Sequence, residues 1–305
     1  MNAASARFMQ RKDIDVMKWD ECIRQAANGL IYAYSFYLDK MAKKWDALVM
    51  DDYKAVMPLT WNKKYGFHYL YQPAFTPSLG LFGNDLTESL VDEFIHSIPK
   101  RFRLIEINLN AGNVFAAPSG LQHLRNNYVL DLNRSYEDLH HNYRENIKRN
   151  IKKCIQYGCR VEKNLAIEKV IELAKLQLRA VTNLKNEDLE NFKSLYAELA
   201  STDKGVTYGI LHNEELVASA AYLFSNGRAY YILVGNHPNG KTMGASHYLI
   251  DRFIYDHAGQ LLLLDFEGSD IRNLAFFYSS FGANLEQYPA ISINRLPWYA
   301  SWLKS

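Results

Sequence analysis

Several absences narrow the reading of this sequence. It has only three cysteines among 305 residues. Cys22, Cys154 and Cys159 are too few and too irregularly spaced for a disulfide framework or a CxxC metal site, which fits a reducing compartment. Nine histidines form neither an HxH nor an HxxxH pair, so no metal centre is expected. There is no Gly-x-Ser-x-Gly elbow, which argues against a serine hydrolase. Charge of one sign is also missing: 35 basic residues stand against 33 acidic ones, a formal net of +2. No global field draws the chain onto nucleic acid, and any anion-binding surface must be local. Purely apolar runs such as Leu261–Leu264 are far too short to cross a bilayer. The opening MNAASARFMQRKDID has no apolar stretch of signal-peptide length, and a cytoplasmic location is the expectation.

Aromatic residues, by contrast, are plentiful, with 21 tyrosines and 15 phenylalanines. They serve core packing or a stacking surface for a ring-bearing ligand. The chain also resembles itself. Ala47–Asp51, a polar turn and Ala55–Leu59 read as a strand–turn–strand hairpin, and so do Gly209–Leu211 and Leu216–Leu223 across His212–Glu215. An aromatic strand follows in each half, His68–Gln72 and Ala229–Val234, then a glycine-bearing loop, then a helix. Leu90-Val91-Asp92-Glu93-Phe94-Ile95 matches Leu249-Ile250-Asp251-Arg252-Phe253-Ile254 at four of six positions. Each helix leads to a strand, Leu104–Asn108 or Leu261–Phe266, and each half closes with a strand at Tyr128 or Tyr288. The offset stays near about 160 residues. The pattern predicts α/β architecture: two tandem domains, 1–133 and 134–305, each a mixed central sheet flanked by helices. The second domain opens with a helix over Tyr136–Tyr157, whose Leu139, Tyr143, Ile147, Ile151 and Ile155 form one apolar stripe. Its bases, Arg144, Lys148, Arg149, Lys152 and Lys153, lie on the other side, as a solvated face or an anion surface. Two more helices are expected over about 167–182 and 187–199.

The halves differ in the loop after the aromatic strand. In the second it reads Gly235-Asn236-His237-Pro238-Asn239-Gly240-Lys241-Thr242-Met243-Gly244-Ala245-Ser246 and opens a helix. Glycines admit close backbone approach, and a helix N-terminus offers N–H groups and partial positive charge to an anion. The plainer reading is an Asn-Gly turn before a capped helix. The corresponding stretch in the first half, Pro73–Asp85, holds two prolines, two phenylalanines and an acid, and suits an apolar wall. Asp265, Glu267, Ser269 and Asp270 gather where the strand Leu261–Phe266 ends, the place where ligands collect in open α/β sheets. A carboxylate there can take a proton from an attacking amine, or the group can cap the next helix. Strand alternation puts Asp265 and Glu267 on one side.

These residues resemble a known fold. Lys241-Thr242-Met243-Gly244-Ala245-Ser246 is a partial match to the [RQ]-x-x-G-x-[GA] pyrophosphate loop of GNAT acetyltransferases, with Lys for Arg or Gln and Ser for Gly or Ala. The whole chain resembles the Fem-type aminoacyltransferases, which are tandem GNAT-like proteins. The likeness is carried by Tyr71-Gln72-Pro73-Ala74-Phe75 with Leu79–Phe82, by Tyr143–Lys153, by Leu264–Ser269 and by Phe277–Ala283. Fem proteins usually carry a long helical hairpin in the second domain. Here the segment Ile167–Leu199 reads as ordinary helices.

The resemblance implies transfer of an acyl or aminoacyl group to an amine, such as a cell-wall (peptidoglycan) precursor peptide. The donor would be acyl-CoA or aminoacyl-tRNA, and a metal is not needed. It implies donor binding at Gly240, Lys241, Thr242, Gly244, Ala245 and Ser246, and catalysis by Asp265, Glu267 and Tyr278, the last protonating the leaving group. Acceptor contacts would fall on Tyr71, Gln72 and Phe75 in the first domain, with Arg144, Lys148 and Arg149 as an anion surface. The partners so implied are an amine-bearing small molecule or peptide and, on the aminoacyl reading, tRNA. Two alternatives stay open: a non-catalytic binding module on a duplicated transferase fold, and a small-amine N-acetyltransferase.

Overall fold

The computed structural model describes residues 6–114, 122–178, 184–268 and 270–298. The chain folds as two compact units, Met1–Arg125 with Gln287–Ser305, and Asn126–Glu286. The first unit contains β1 (Arg7–Gln10), α1 (Val16–Gln25), α2 (Ser35–Met41), β2 (Trp45–Met50), β3 (Ala55–Lys64), β4 (Phe67–Leu70), β5 (Phe82–Gly83), α3 (Glu88–His96) and β6 (Phe102–Asn108). The chain continues through β7 (Gln122–Asp131), α4 (Tyr136–His141), α5 (Glu145–Gln156), β8 (Arg160–Lys163), α6 (Ile167–Leu178) and α7 (Asn186–Ala200). It ends with β9 (Gly205–His212), β10 (Glu215–Ser225), β11 (Arg228–Asn236), α8 (Pro238–Met243), α9 (Ala245–His257), β12 (Leu263–Asp265), α10 (Arg272–Ser279) and β13 (Asn284–Asn294). Both units are α/β with mixed sheets. β4 and β6 run parallel in the first, as β11 and β12 do in the second, and the hairpins are antiparallel.

The hairpins, the aromatic strands and the helices α3 and α9 fall where their periodicity predicts. Val91, Phe94 and Ile95 are buried on α3, and Leu249, Ile250, Phe253 and Ile254 on α9. The closing strands pair differently from a simple repeat. β6 pairs with the end of β13, Ala290 opposite Asn108, and β12 pairs with β7, Leu264 opposite Leu130. Each unit is therefore completed by the strand that follows the other unit's parallel pair. The division differs accordingly from the expected one at 133/134: Asn126–Asn133 count with the second unit and Gln287–Ser305 with the first. Ile291 sits in the first core beside Ile105 and Ile107, and Leu130 in the second beside Leu264. Hydrophobic alternation fixes which face of a closing strand is buried, but not which neighbour it pairs with.

The expected helix over Tyr136–Tyr157 is two helices. Arg144 is extended (φ −66°, ψ 152°), and its N–H donates to Ser280 O at 2.9 Å. Leu139, Tyr143, Ile147 and Ile151 are buried as the stripe requires, whereas Ile155 is 53% exposed. A four-residue spacing survives a one-turn break because the flanking residues still point into one core. The helix expected over 167–182 is described as far as Leu178, and residues 179–183 lie outside the described residues.

Candidate functional site

β11 and β12 are paired only from Arg228 opposite Leu263 to Tyr230 opposite Asp265. β12 stops there, while β11 runs on to Asn236. The carboxyl end of this parallel pair is the place where open α/β sheets collect ligands. Three buried aromatic rings pack near it. Phe266 stacks on Tyr278 of α10 with centroids 4.7 Å apart and planes at 20°, and Tyr231 meets both edge-on. Tyr278 is 8% exposed. Burial first, and then the Glu267 carboxylate, push its phenol pKa upward, so it stays protonated. Glu267, just past the end of β12, thus lies within electrostatic reach of Tyr278.

Asp265 has a different role. Its carboxylate is 2.7 Å from Arg228 Nη1, and it accepts from Asn127 Nδ2 and from the Glu267 N–H, each at 2.9 Å. Arg228 also holds Glu286 at 2.7 Å. Burial raises the Asp265 pKa, and Arg228 opposes the rise. With its oxygens filled, Asp265 anchors β12 to β11 and is not placed to take a proton. The expectation that it shares a side with Glu267 fails for a backbone reason: Glu267 is left-handed (φ 65°), so strand alternation ends before it. Ser269 lies outside the described residues. Asp270 does not cap α10, whose N-cap is Ile271; it accepts from the Asn126 N–H at 3.0 Å.

The Gly240–Ser246 segment is not an open loop. Its first half is the short helix α8, which starts at Pro238, and the ring of His237 accepts the Asn239 N–H at 3.2 Å. Gly240 is buried, and a Cβ there would lie 2.1 Å from Val217 O at the bulge of β10. Gly244 is left-handed (φ 82°), and its Cβ would lie 2.6 Å from Asn150 O on α5. Both glycines therefore admit protein backbone. Thr242 Oγ1 donates to Asn239 O at 2.8 Å, Ser246 Oγ bonds to Asn236 Oδ1, and Ala245 is fully buried. Lys241 is exposed. The turn packs against α5 through Asn150, whose Nδ2 lies 3.4 Å from His247 Nε2. His247, in the first turn of α9, packs edge-on against Phe277, and burial lowers its pKa to about 4. Its neutral imidazole went unnoticed in the sequence because a lone histidine on a helix carries no spacing signal. Of the α5 bases, Arg144 lies 4.7 Å over the Phe276 ring, Lys148 pairs with Glu145 at 3.0 Å, and Arg149 is exposed.

In the first unit, the proposed acceptor residues hold their own loop. Tyr71 Oη accepts the Lys43 N–H at 2.8 Å. Gln72 donates to Thr76 O at 2.6 Å and accepts the Asn108 N–H at 3.1 Å, so both ends of its amide are used. Phe75 is left-handed (φ 55°), and its carbonyl accepts from the Tyr37 hydroxyl.

Residues 141–268 match a family model described as the acetyltransferase (GNAT) domain. The matched stretch lies within the second unit. The solved structure of FemX is similar over 93% of this chain and 97% of its own, with a TM-score of 0.63 at 11% identity. A tandem GNAT protein from the clavulanic acid biosynthesis pathway aligns over 96% of this chain and 99% of its own (TM-score 0.60, 11% identity). The C-terminal domain of a putative lysylphosphatidylglycerol synthetase from Agrobacterium fabrum aligns over 95% and 94% (TM-score 0.55, 10% identity). At these identities the likeness is one of fold, and the fold is that of the Fem-type tandem GNAT acyltransferases. No curated protein matches the sequence significantly. Among the described residues, no group of three or more His, Cys, Asp or Glu side chains is placed to hold a metal. No described helix is long and apolar enough to cross a membrane.

Proposed function

We propose that the chain transfers an acyl or aminoacyl group from an activated donor to an amine, with the chemistry in the second unit. The carrying observation is the Glu267–Tyr278 pair beyond the end of β12. The amine attacks the donor's carbonyl carbon and its proton passes to Glu267. The bond to the leaving group then breaks, and the Tyr278 hydroxyl donates to the departing oxygen or sulfur. A phenol pushed upward acts best as a hydrogen-bond donor and is mismatched to full transfer onto a thiolate, which favours an ester donor such as aminoacyl-tRNA over acyl-CoA. The donor's anionic part is assigned to the α8–α9 turn, with Lys241 and Arg149 as its cations.

The rival reading, a binding module without turnover, has one observation in its favour: both turn glycines are filled by protein. Incubating the chain with amine acceptors and either acyl-CoAs or aminoacyl-tRNA, and following products by mass spectrometry, separates the readings. Tyr278→Phe and Glu267→Gln should each lower kcat by about 10²-fold or more while sparing donor affinity. Donor binding without product, or rates indifferent to both substitutions, would refute the assignment.

A further inference from the structure

The first unit holds a second built site at the edge of its sheet. A groove of about 300 Å³ opens where β1, the end of α2, β2 and β3 meet. Trp45 and Trp61 are among its apolar walls, and Lys12, Lys43 and Lys44, all exposed, stand on its rim. The carboxylates in the wall are already committed. Asp39 pairs with Arg11 at 2.7 Å and accepts the Trp45 indole N–H at 2.8 Å. Asp46 pairs with Arg101 at 2.6 Å and accepts the Arg11 N–H at 3.0 Å. The two arginines balance the two acids, so Lys12 and Lys44 leave the groove cationic. One donor is unsatisfied as well: Trp61 Nε1 is buried with no hydrogen-bond partner among the described residues. A buried N–H left unpaired is costly, so a ligand oxygen that accepts from it is favoured. Lys44 Nζ sits 4.9 Å over the same indole, so the charge and the orphan donor share one ring.

We propose that this groove binds a phosphate-bearing small molecule, with Lys12 and Lys44 as its point charges and the Trp61 N–H as its fixed donor. The residue types select the ligand class. A planar carboxylate is best met by an arginine fork, and both arginines here are spent. Ammonium groups act as unoriented point charges, and several of them suit a multiply charged, roughly spherical oxyanion.

The test is calorimetric titration of the full-length chain with inorganic pyrophosphate at fixed ionic strength, with intrinsic tryptophan fluorescence as a second readout. Saturable binding is expected, weakening as salt rises. Lys12→Ala and Lys44→Ala should each reduce affinity about tenfold. Trp61→Phe, which keeps the ring and removes the donor, should reduce it several-fold. Lys169→Ala, exposed on α6 in the other unit, should leave the titration unchanged. Circular dichroism confirms that the exposed lysine variants fold. Citrate serves as the carboxylate arm and should bind more weakly. The proposal is overturned by a response no larger than that of chloride at matched ionic strength. Affinity indifferent to Lys12→Ala and Lys44→Ala, loss of binding in Lys169→Ala, or citrate binding as tightly as pyrophosphate overturns it equally.

Discussion

Replacing Gly240 with alanine separates two roles for a glycine that the sequence cannot tell apart. If the residue exists to let a ligand approach, a methyl group leaves stability intact and harms donor binding. The structure predicts the reverse. The added Cβ would lie 2.1 Å from Val217 O and 2.9 Å from Val217 C, and these are backbone atoms of a paired strand that cannot swing away. Ordinary carbon contacts lie at about 3.5–4.0 Å, so α8 or the β10 bulge must move by about 1 Å or more. Overpacking of this kind costs about 1–3 kcal/mol. Alanine's better helix propensity returns at most about 1 kcal/mol, leaving a net loss of about 1–2 kcal/mol. For a unit of this size that lowers Tm by about 2–8 °C. Differential scanning calorimetry reads it directly, because the transition carrying the second unit should move while the other stays. A variant with unchanged or raised Tm and weakened donor binding would refute the packing argument and restore the glycine to ligand contact.

His247 predicts a pH dependence. Its pKa falls from an ordinary 6.5 to about 4 on folding, so the unfolded chain takes up a proton first as pH drops. The stabilisation is full above about pH 6.5 and declines toward pH 4, by about 2–3 kcal/mol between pH 7 and 4.5. Urea denaturation at the two pH values should show the loss in the natural chain and a smaller one in His247→Gln; equal losses would exclude His247 as the source. Arg228→Met strands two carboxylates, Asp265 and Glu286, and should cost about 3–5 kcal/mol in urea unfolding. Adding Asp265→Asn to it should recover part of that, and additive losses would show that the two residues are not coupled.

The parts of the fold with a short period were legible in the sequence. Two hairpins, two aromatic strands and the matched helices α3 and α9 followed from spacing alone, because alternation and 3.6-residue stripes are local properties. Glu267 was legible as a candidate from its place past the end of β12, and Tyr278 only through the family resemblance. What could not be read depends on distant partners. Nothing at Asp265 announces Arg228, which lies 37 residues earlier and reaches it only through the parallel register. Nothing around Gly240 announces the Val217 carbonyl, which projects from a bulge. The break at Arg144 is fixed by Ser280 O, contributed by the turn after α10. The groove beside Trp61 gathers residues from positions 10 to 61, and only the folded chain reveals that its acids are spent.

The traded closing strands bear on how the molecule is made. During synthesis the ribosome releases β6 long before the stretch from Ala290 to Asn294 that covers it. The first unit therefore waits, with a strand edge open, until the stretch through Asn294 has emerged. Bare edges recruit wrong partners, and contacts this far apart along the chain form slowly. A nascent chain stalled before Gln287, or a fragment cut at 133/134, would expose an unpaired β6 edge. The fragment would also strand β7 away from β12. Such pieces are expected to aggregate on release, although most of each sheet is present.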